Sequence, residues 1–146
     1  MMSVNKLKTL EVSGTPEEIG FAVGKNMADS IRETVLTLVE FQQAQRNWTG
    51  SSYLKKLDEA ARNVFPAYVL ELEGMARGAQ LDYESLLIWN CRGDLPLLAG
   101  VNPESAEHAP EGCTTLLYPS ADDADAVIAH NEDGPPELDG HCRWLT

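Results

Sequence analysis

The chain has 146 residues, enough for one domain with a substantial hydrophobic core. Its composition, 43% hydrophobic and 23% charged, is that of a globular protein. The formal net charge of -12 argues against a nucleic-acid-binding or anionic-membrane-binding surface, and it leaves small molecules and other proteins as partners.

The cysteine content and the N-terminus indicate a compartment. Three cysteines in no obvious framework fit a reducing environment with free thiols. Residues 1–8 include lysines but lack the apolar region of a signal peptide. No apolar run approaches the roughly 18 residues that a membrane span needs. We therefore expect a cytoplasmic protein that does not enter a membrane.

The first predicted elements are a short strand over residues 7–12 and a helix. Thr15 is typical of an N-cap, Pro16 of a first helical position, and Glu18 completes a capping box. Apolar residues then recur at spacings of three and four as far as Val39, which predicts one long helix that ends in the polar stretch 42–52. We expect the glycines at positions 20 and 24 to permit close packing against another element.

Further helices are predicted up to the middle of the chain. One should run from Ser52 or Tyr53 to about Val64. The next should begin at Pro66, with Gly78 as its C-terminal stop. Asp82 should cap another that ends near Arg92 or Leu95.

After Pro96 the composition changes, and a loop is expected over residues 97–110. Strands are predicted at Thr114–Tyr118 and Ala126–His130 as a hairpin, and the start of another at Cys142–Thr146. Since a two-stranded hairpin is marginal alone, the sequence looks cut off before its sheet is complete. The predicted organisation is a helical segment over 1–112, with a linker at 97–112, and a strand-rich segment over 113–146.

Cys113 is the first candidate catalytic residue, because it begins a predicted buried strand and follows Gly112. Its thiol can attack the Gly112 carbonyl and move the acyl group from nitrogen to sulfur, after which water cuts the thioester. The freed α-amine, with a pKa of about 7.7–8.0, can act as base for the thiol. The alternative is a small buried apolar residue at a strand start.

The predicted hairpin brings further polar residues to the same end. Asn131 and Asp133 follow the second strand, so they can neighbour Cys113, where a carboxylate would stabilise the ammonium form of the new α-amine. Asp133 is otherwise an ordinary turn acid, and Asn131 a strand-end cap. The Thr114 hydroxyl can position the scissile bond, although a β-branched residue also suits a strand.

Other candidates carry alternatives of their own. Arg92, at a predicted helix end, either pairs with Asp94 or reaches the linker or a substrate carboxylate. His130 is predicted to be a buried strand histidine rather than a base. The cysteines and histidines show no zinc-site spacing, and the acidic turn at 122–125 lacks the pattern of a calcium loop, so no metal is expected.

Several blocks of the sequence together resemble one family. They are Ser13–Gly20, Leu72–Ala79 continuing to Asn90–Arg92, Gly112–Thr115 and His130–Asp133. The blocks resemble the acyl-coenzyme A:6-aminopenicillanate acyltransferase family of N-terminal-nucleophile hydrolases (peptidase family C45). Glu132 and Gly134 stand where that family often has aromatic residues. The His-Asn-Glu-Asp block is closer to the branch that hydrolyses β-alanyl amides of biogenic amines such as carcinine.

The resemblance implies an α+β fold, a four-layer αββα sandwich, in a proenzyme that cuts itself between Gly112 and Cys113. It implies that Cys113 is the nucleophile, that Asp133 holds the new α-amine, and that Arg92 lies in a family block. Family members continue well past Thr146, and their oxyanion-stabilising residues come later. The implied partners are a small-molecule amide and the remainder of the β-chain, with a homo-oligomer left open. No cofactor is implied, apart from a coenzyme A thioester as co-substrate if acyl transfer occurs.

Two hypotheses follow for the function. In the first, the protein is an autoprocessing cysteine amide hydrolase or acyltransferase that acts on linear amides through a thioester at Cys113. This stretch alone is then expected to be inactive, because it lacks the later β-chain residues. In the second, the chain is a non-catalytic helical binding or folding fragment, and Cys113 is only a core residue.

Overall fold

A computed structural model describes residues 8–95, 113–118, 126–131 and 136–146. The helices are α1 (Pro16–Glu33), α2 (Val39–Trp48), α3 (Ser52–Val64), α4 (Pro66–Ala79) and α5 (Tyr83–Cys91), with 3-10 turns at Val35–Thr37 and Pro136–Leu138. The strands are β1 (Lys8–Leu10), β2 (Thr114–Tyr118), β3 (Val127–Asn131) and β4 (Arg143–Leu145). Within these parts of the chain, no helix is both long and apolar enough to cross a membrane.

The start of α1 is as predicted. The Thr15 hydroxyl accepts a hydrogen bond from the backbone N–H of Glu18, and the Glu18 carboxylate accepts one from the backbone N–H of Thr15 at 2.8 Å. This reciprocal pair satisfies two backbone donors that the first turn leaves without helical partners. The pKa of Glu18 is lowered, mainly because its carboxylate accepts the backbone hydrogen bond of Thr15.

The prediction of one long helix from Pro16 through Val39 is wrong. The chain leaves α-helical geometry at Thr34, passes through the 3-10 turn and begins α2 at Val39. Most of the polar stretch 42–52, which was predicted to end the helix, lies inside α2. The Thr37 hydroxyl donates to the carbonyls of Glu33 and Thr34 at this break. Such local side-chain bonds offer the backbone an alternative to continuing the helix.

Helices α1 and α4 pack in direct backbone contact through glycines. A Cβ built on Gly20 would overlap the backbone carbonyl of Glu71, and one built on Gly24 would overlap that of Met75. Because the two contacts advance in the same direction along both helices, α1 and α4 run parallel. The prediction that these glycines serve close packing is confirmed.

The end of α4 differs from the prediction. Gly78 is not the stop but lies inside the helix, where a Cβ would overlap the carbonyl oxygen of Phe21 in α1. The left-handed residue is Gln80, at φ 57° and ψ 45°. The backbone N–H of Leu81 then donates to the carbonyl of Ala76 at 2.9 Å, which satisfies an end carbonyl of the helix.

Two apolar clusters form the core. One lies where α2, α3 and α5 meet and includes the fully buried side chains Phe41, Leu54, Ile88 and Leu95. The other joins α1, α4 and the start of α5 through Ile31, Ala76, Ala79 and Leu86. The two clusters fix the helices against one another, so the hydrophobic effect holds this part of the chain together.

The strands form two small sheets. Strands β2 and β3 pair antiparallel, with Leu116 opposite Ala129, so the predicted hairpin is confirmed. Strands β1 and β4 pair parallel, with Thr9 opposite Trp144, and both strands were predicted. Val12 and Thr146 extend this pairing by a backbone hydrogen bond of 2.9 Å.

Candidate functional site

Cys113 directly precedes β2, at the open end of the hairpin. Its side chain is exposed, as are the described side chains of β2, so the prediction of a buried position is wrong for this part of the chain. Thr114 lies opposite Asn131 in the register of the hairpin. The backbone of Asn131 is thus one residue out of register with that of Cys113, on the neighbouring strand.

Some predicted site residues lie outside the described residues. Gly112 and Asp133 are among them, as are the acidic turn at 122–125 and the linker histidine His108. Only the backbones of Thr114 and Asn131 are described. The contact predicted between Asp133 and the new α-amine of Cys113 therefore stays a prediction.

The hairpin face that carries Thr115 also carries His130. These two residues are cross-strand partners, and the Thr115 hydroxyl lies 2.8 Å from Nδ1 of His130. Because side chains alternate along a strand, Cys113 belongs to the same face as Thr115. His130 is exposed, so the prediction of a buried strand histidine is wrong.

Both faces of the hairpin carry exposed apolar side chains. Leu116, Tyr118 and Val127 share one face, while Leu117 and Ile128 share the other, and all are 57–70% exposed. A sheet buried on one side only would show polar residues on its outer face. The described hairpin does not show this one-sided pattern, because both of its faces are apolar.

Arg92 follows α5 and is engaged locally. Its guanidinium donates to the carbonyl of Trp89 at 2.7 Å and lies over the Trp89 ring, 4.0 Å from the centroid. Among the described residues Arg92 forms no ion pair, so the proposed pairing with Asp94 is not observed. The arrangement satisfies a terminal carbonyl of the helix and adds a cation–π contact.

The three cysteines differ in environment. Cys113 and Cys142 are exposed, whereas Cys91, the last residue of α5, is half-buried. Burial raises the pKa of the Cys91 thiol, and the negative charges of Asp94 and Asp58 raise it further. In the described ranges, no three His, Cys, Asp or Glu side chains are placed to hold a metal ion.

His141 links the β4 region to α1. Its Nδ1 lies 3.0 Å from the Ser30 hydroxyl, and its Nε2 lies 3.3 Å from the Thr34 hydroxyl. With both ring nitrogens used in this way, His141 holds the segment before β4 against the end of α1. This contact spans more than a hundred residues, and no local signal in the sequence could have revealed it.

A polar cluster in the helical part was also missed by the sequence analysis. The Tyr83 hydroxyl donates to Asp58 at 2.5 Å, and Arg62 bridges Asp58 and Glu73 at 2.9 and 2.8 Å. Burial, followed by the hydrogen bond to Asp58, raises the pKa of Tyr83. Only the Asp58–Arg62 pair had a sequence signal, namely its spacing of four residues in a helix.

Comparison with known proteins gives one distant relative. The chain is 26% identical over 143 residues to the beta-alanyl-dopamine/carcinine hydrolase of Drosophila melanogaster. The matched region covers 93% of this chain but 35% of the relative, so the chain spans about a third of that protein's length. No protein-family model matches the chain, and no solved structure matches it. At a coarse level, this similarity to a hydrolase supports the resemblance found in the sequence.

Proposed function

We propose that this chain is part of an autoprocessing amide hydrolase whose nucleophile is Cys113. The observation that carries the proposal is the position of Cys113, exposed directly before a strand whose partner brings Asn131 to the same end. The order of helical part, Gly-Cys-Thr-Thr block and hairpin supports it, and so does the similarity to a hydrolase over most of the chain.

Self-cleavage is the proposed first reaction. The Cys113 thiol attacks the carbonyl carbon of Gly112, the peptide C–N bond breaks, and a thioester forms between Gly112 and the cysteine sulfur. Water then hydrolyses the thioester, which leaves the Gly112 carboxylate and a free α-amine on Cys113. Asp133 is proposed to orient that amine and to stabilise, by charge attraction, the ammonium that forms once the amine has accepted the thiol proton.

Substrate turnover would then use the same atoms. The α-amine accepts the proton of the Cys113 thiol while the sulfur attacks the amide carbonyl of the substrate. The proton passes to the leaving amine, and water releases the acid from the resulting thioester. The negative oxygen formed in each step needs hydrogen-bond donors. We propose that further β-chain residues beyond the hairpin supply them.

The proposed substrates are linear amides of small molecules, with β-alanyl amides of amines first among them. The name of the Drosophila relative supports this choice over coenzyme A-dependent acyl transfer. The departures at Glu132 and Gly134 from the aromatic residues of the acyltransferases support it as well. No cofactor takes part in the proposed chemistry.

The proposed fold is the four-layer αββα sandwich. In such a sandwich each sheet contacts helices on one face and the other sheet on the opposite face, so both faces are apolar. The exposed apolar residues on both faces of the β2–β3 hairpin support this proposal. The remainder of a β-chain would provide the covering layers and further strands.

Intact-mass spectrometry tests the proposal. We expect the protein, extended to the length of its relative, to separate into a piece that ends at Gly112 and a piece that starts at Cys113. Cys113→Ala should stay whole, and Cys142→Ala, which removes another exposed thiol, should still be cleaved. If the wild type stays whole and Cys113 shows no enhanced reactivity with thiol reagents, the non-catalytic alternative is correct.

A further inference from the structure

A cavity of about 380 Å³ opens between α3, α4 and α5. This volume lies in the lower part of the range of about 300–1,000 Å³ that is usual for small-molecule sites. Its walls include apolar and aromatic side chains, among them Leu72, Met75 and Leu87, and Phe65 and Tyr68 are 55% and 70% exposed. None of the described lining residues belongs to the hairpin that follows Cys113.

The polar groups on the cavity wall mainly accept hydrogen bonds. Glu71 is half-buried, and it forms no hydrogen bond or ion pair with any other described residue. One N–H of the Asn90 amide donates to the carbonyl of Leu86, which leaves its second N–H as a donor and its carbonyl oxygen as an acceptor. Tyr83 gives its hydrogen to Asp58, and thus only its oxygen lone pairs remain.

The charges around the cavity are also of one sign. No lysine, arginine or histidine occurs among the described residues that line it. The neighbouring Arg62 is already neutralised by Asp58 and Glu73. Glu71 thus differs from Glu73 and from Glu17, which pairs with Arg77, because both of those carboxylates have a cationic partner within the described structure.

We propose that this cavity binds a small aromatic amine in its protonated form. The ring would lie among the apolar and aromatic side chains, and the ammonium group would donate to the Glu71 carboxylate and to the carbonyl oxygen of Asn90. An ammonium close to aromatic rings such as those of Phe65 and Tyr68 gains a cation–π attraction as well. A carboxylate or phosphate ligand would instead meet the negative charge of Glu71, with no cationic side chain among the described lining residues.

This site is separate from the proposed chemistry of Cys113, so the proposed function can fail without affecting it. The binding experiment therefore uses Cys113→Ala, which has no nucleophile at that position. The probe is 2-phenylethylamine, studied by isothermal titration calorimetry. We expect a dissociation constant of about 1 mM or tighter, as for an efficiently bound ligand of this size.

Matched probes and variants decide what the binding depends on. 3-Phenylpropionate has the same ring and the opposite charge, and we expect it to bind at least about tenfold more weakly than the amine. Glu71→Gln should weaken amine binding by about tenfold, whereas Glu59→Gln, an equal change of charge on an exposed position of α3 outside the cavity, should not. Tyr68→Ala, at a highly exposed position, should also weaken binding without unfolding the protein.

Three results would overturn the proposal. The first is the absence of binding by the amine at about ten times the expected dissociation constant. The second is equal affinity for the amine and the carboxylate. The third is an equal effect of Glu71→Gln and Glu59→Gln, which would show that the amine responds only to the overall negative charge of the protein.

Discussion

Gly24 of α1 lies directly against the backbone carbonyl of Met75 in α4, with no room for a side chain between them. The parallel contact of these two helices depends on this approach and on the equivalent one at Gly20. Because backbone atoms cannot move aside as a flexible side-chain end can, a single methyl group must push the helices apart. The contact therefore requires a glycine at position 24.

We expect Gly24→Ala to lower the free energy of unfolding by at least about 1–3 kcal/mol, the usual cost of overpacking. Urea denaturation measures it. The matched control is Gly93→Ala, because Gly93 does not have a positive φ and a Cβ there would meet no atom within 4 Å. Equal midpoints for the two variants would show that α1 and α4 are not in close contact.

The capping box of α1 should make stability depend on pH. Since the folded pKa of Glu18 is lowered, the ionised carboxylate stabilises the fold above its unfolded pKa, near 4.5. That contribution is lost as the pH falls through the lower, folded pKa. When the pH is lowered from neutral to below 4.5, the midpoint of urea denaturation should fall in the wild type. In Glu18→Gln the same change of pH should lower this midpoint by a smaller amount.

The partner residue gives a second measure of the same box. Thr15→Ala removes the hydroxyl that accepts the hydrogen bond of the Glu18 backbone N–H, and it should lower the free energy of unfolding by about 0.5–2 kcal/mol, while Thr15→Ser should lower it little.

The charge control for Glu18→Gln is Glu40→Gln, because the Glu40 carboxylate is exposed and accepts no hydrogen bond from the described residues. A loss of pH dependence in Glu40→Gln as large as in Glu18→Gln would contradict this role.

Local signals explain which elements the sequence could predict. Thr15, Pro16 and Glu18 act within one turn of chain, so their pattern predicts the start of α1 without knowledge of the rest. The break at Thr34 was missed because apolar residues continue through it at helical spacing. The helix breaks there for a tertiary reason, because Ile31 packs in one apolar cluster and Leu38 packs in the other.

Some features of the candidate site could also be predicted from local sequence, whereas others depend on residues that are distant in the chain. The two strand-like runs with an acidic turn between them predict the hairpin, and the hairpin brings Cys113 and Asn131 to one end. The exposure of His130 and the cavity between α3, α4 and α5 depend on residues distant in sequence, and no periodicity encodes them. A sequence pattern also could not distinguish Glu71, without a partner among the described residues, from the paired Glu73.

Tyr83 should be the last tyrosine to ionise. Its pKa is raised by burial and by the hydrogen bond to Asp58, so neutral Tyr83 stabilises the fold below the unfolded pKa of about 10. That stability is lost as the pH rises through the higher, folded value. Absorbance titration of tyrosinate should show one group above the rest, and Tyr83→Phe should remove it, whereas Tyr53→Phe should not.

The same substitution tests the energy of the hydrogen bond. Tyr83→Phe leaves Asp58 with Arg62 but without the tyrosine donor, and we expect a loss of about 1–3 kcal/mol by urea denaturation at neutral pH. If Tyr83→Phe and Tyr53→Phe had the same stability, the hydroxyl of Tyr83 would not be held by Asp58 in solution.

The three thiols should react at different rates with a disulfide reagent such as 5,5′-dithiobis(2-nitrobenzoate). Cys113 and Cys142 are exposed, whereas Cys91 is half-buried and its pKa is raised by burial and by the charges of Asp94 and Asp58. Because the thiolate is the reacting form, we expect Cys91 to react at least about tenfold more slowly than the other two.

In the native protein, Cys91→Ala should remove the slow phase, and Cys113→Ala or Cys142→Ala should each remove one fast thiol. In guanidinium chloride the difference between the phases should disappear, since unfolding exposes Cys91. A native Cys91→Ala protein that lost a fast thiol instead would place Cys91 on the surface, and it would contradict the packing of α5 described above.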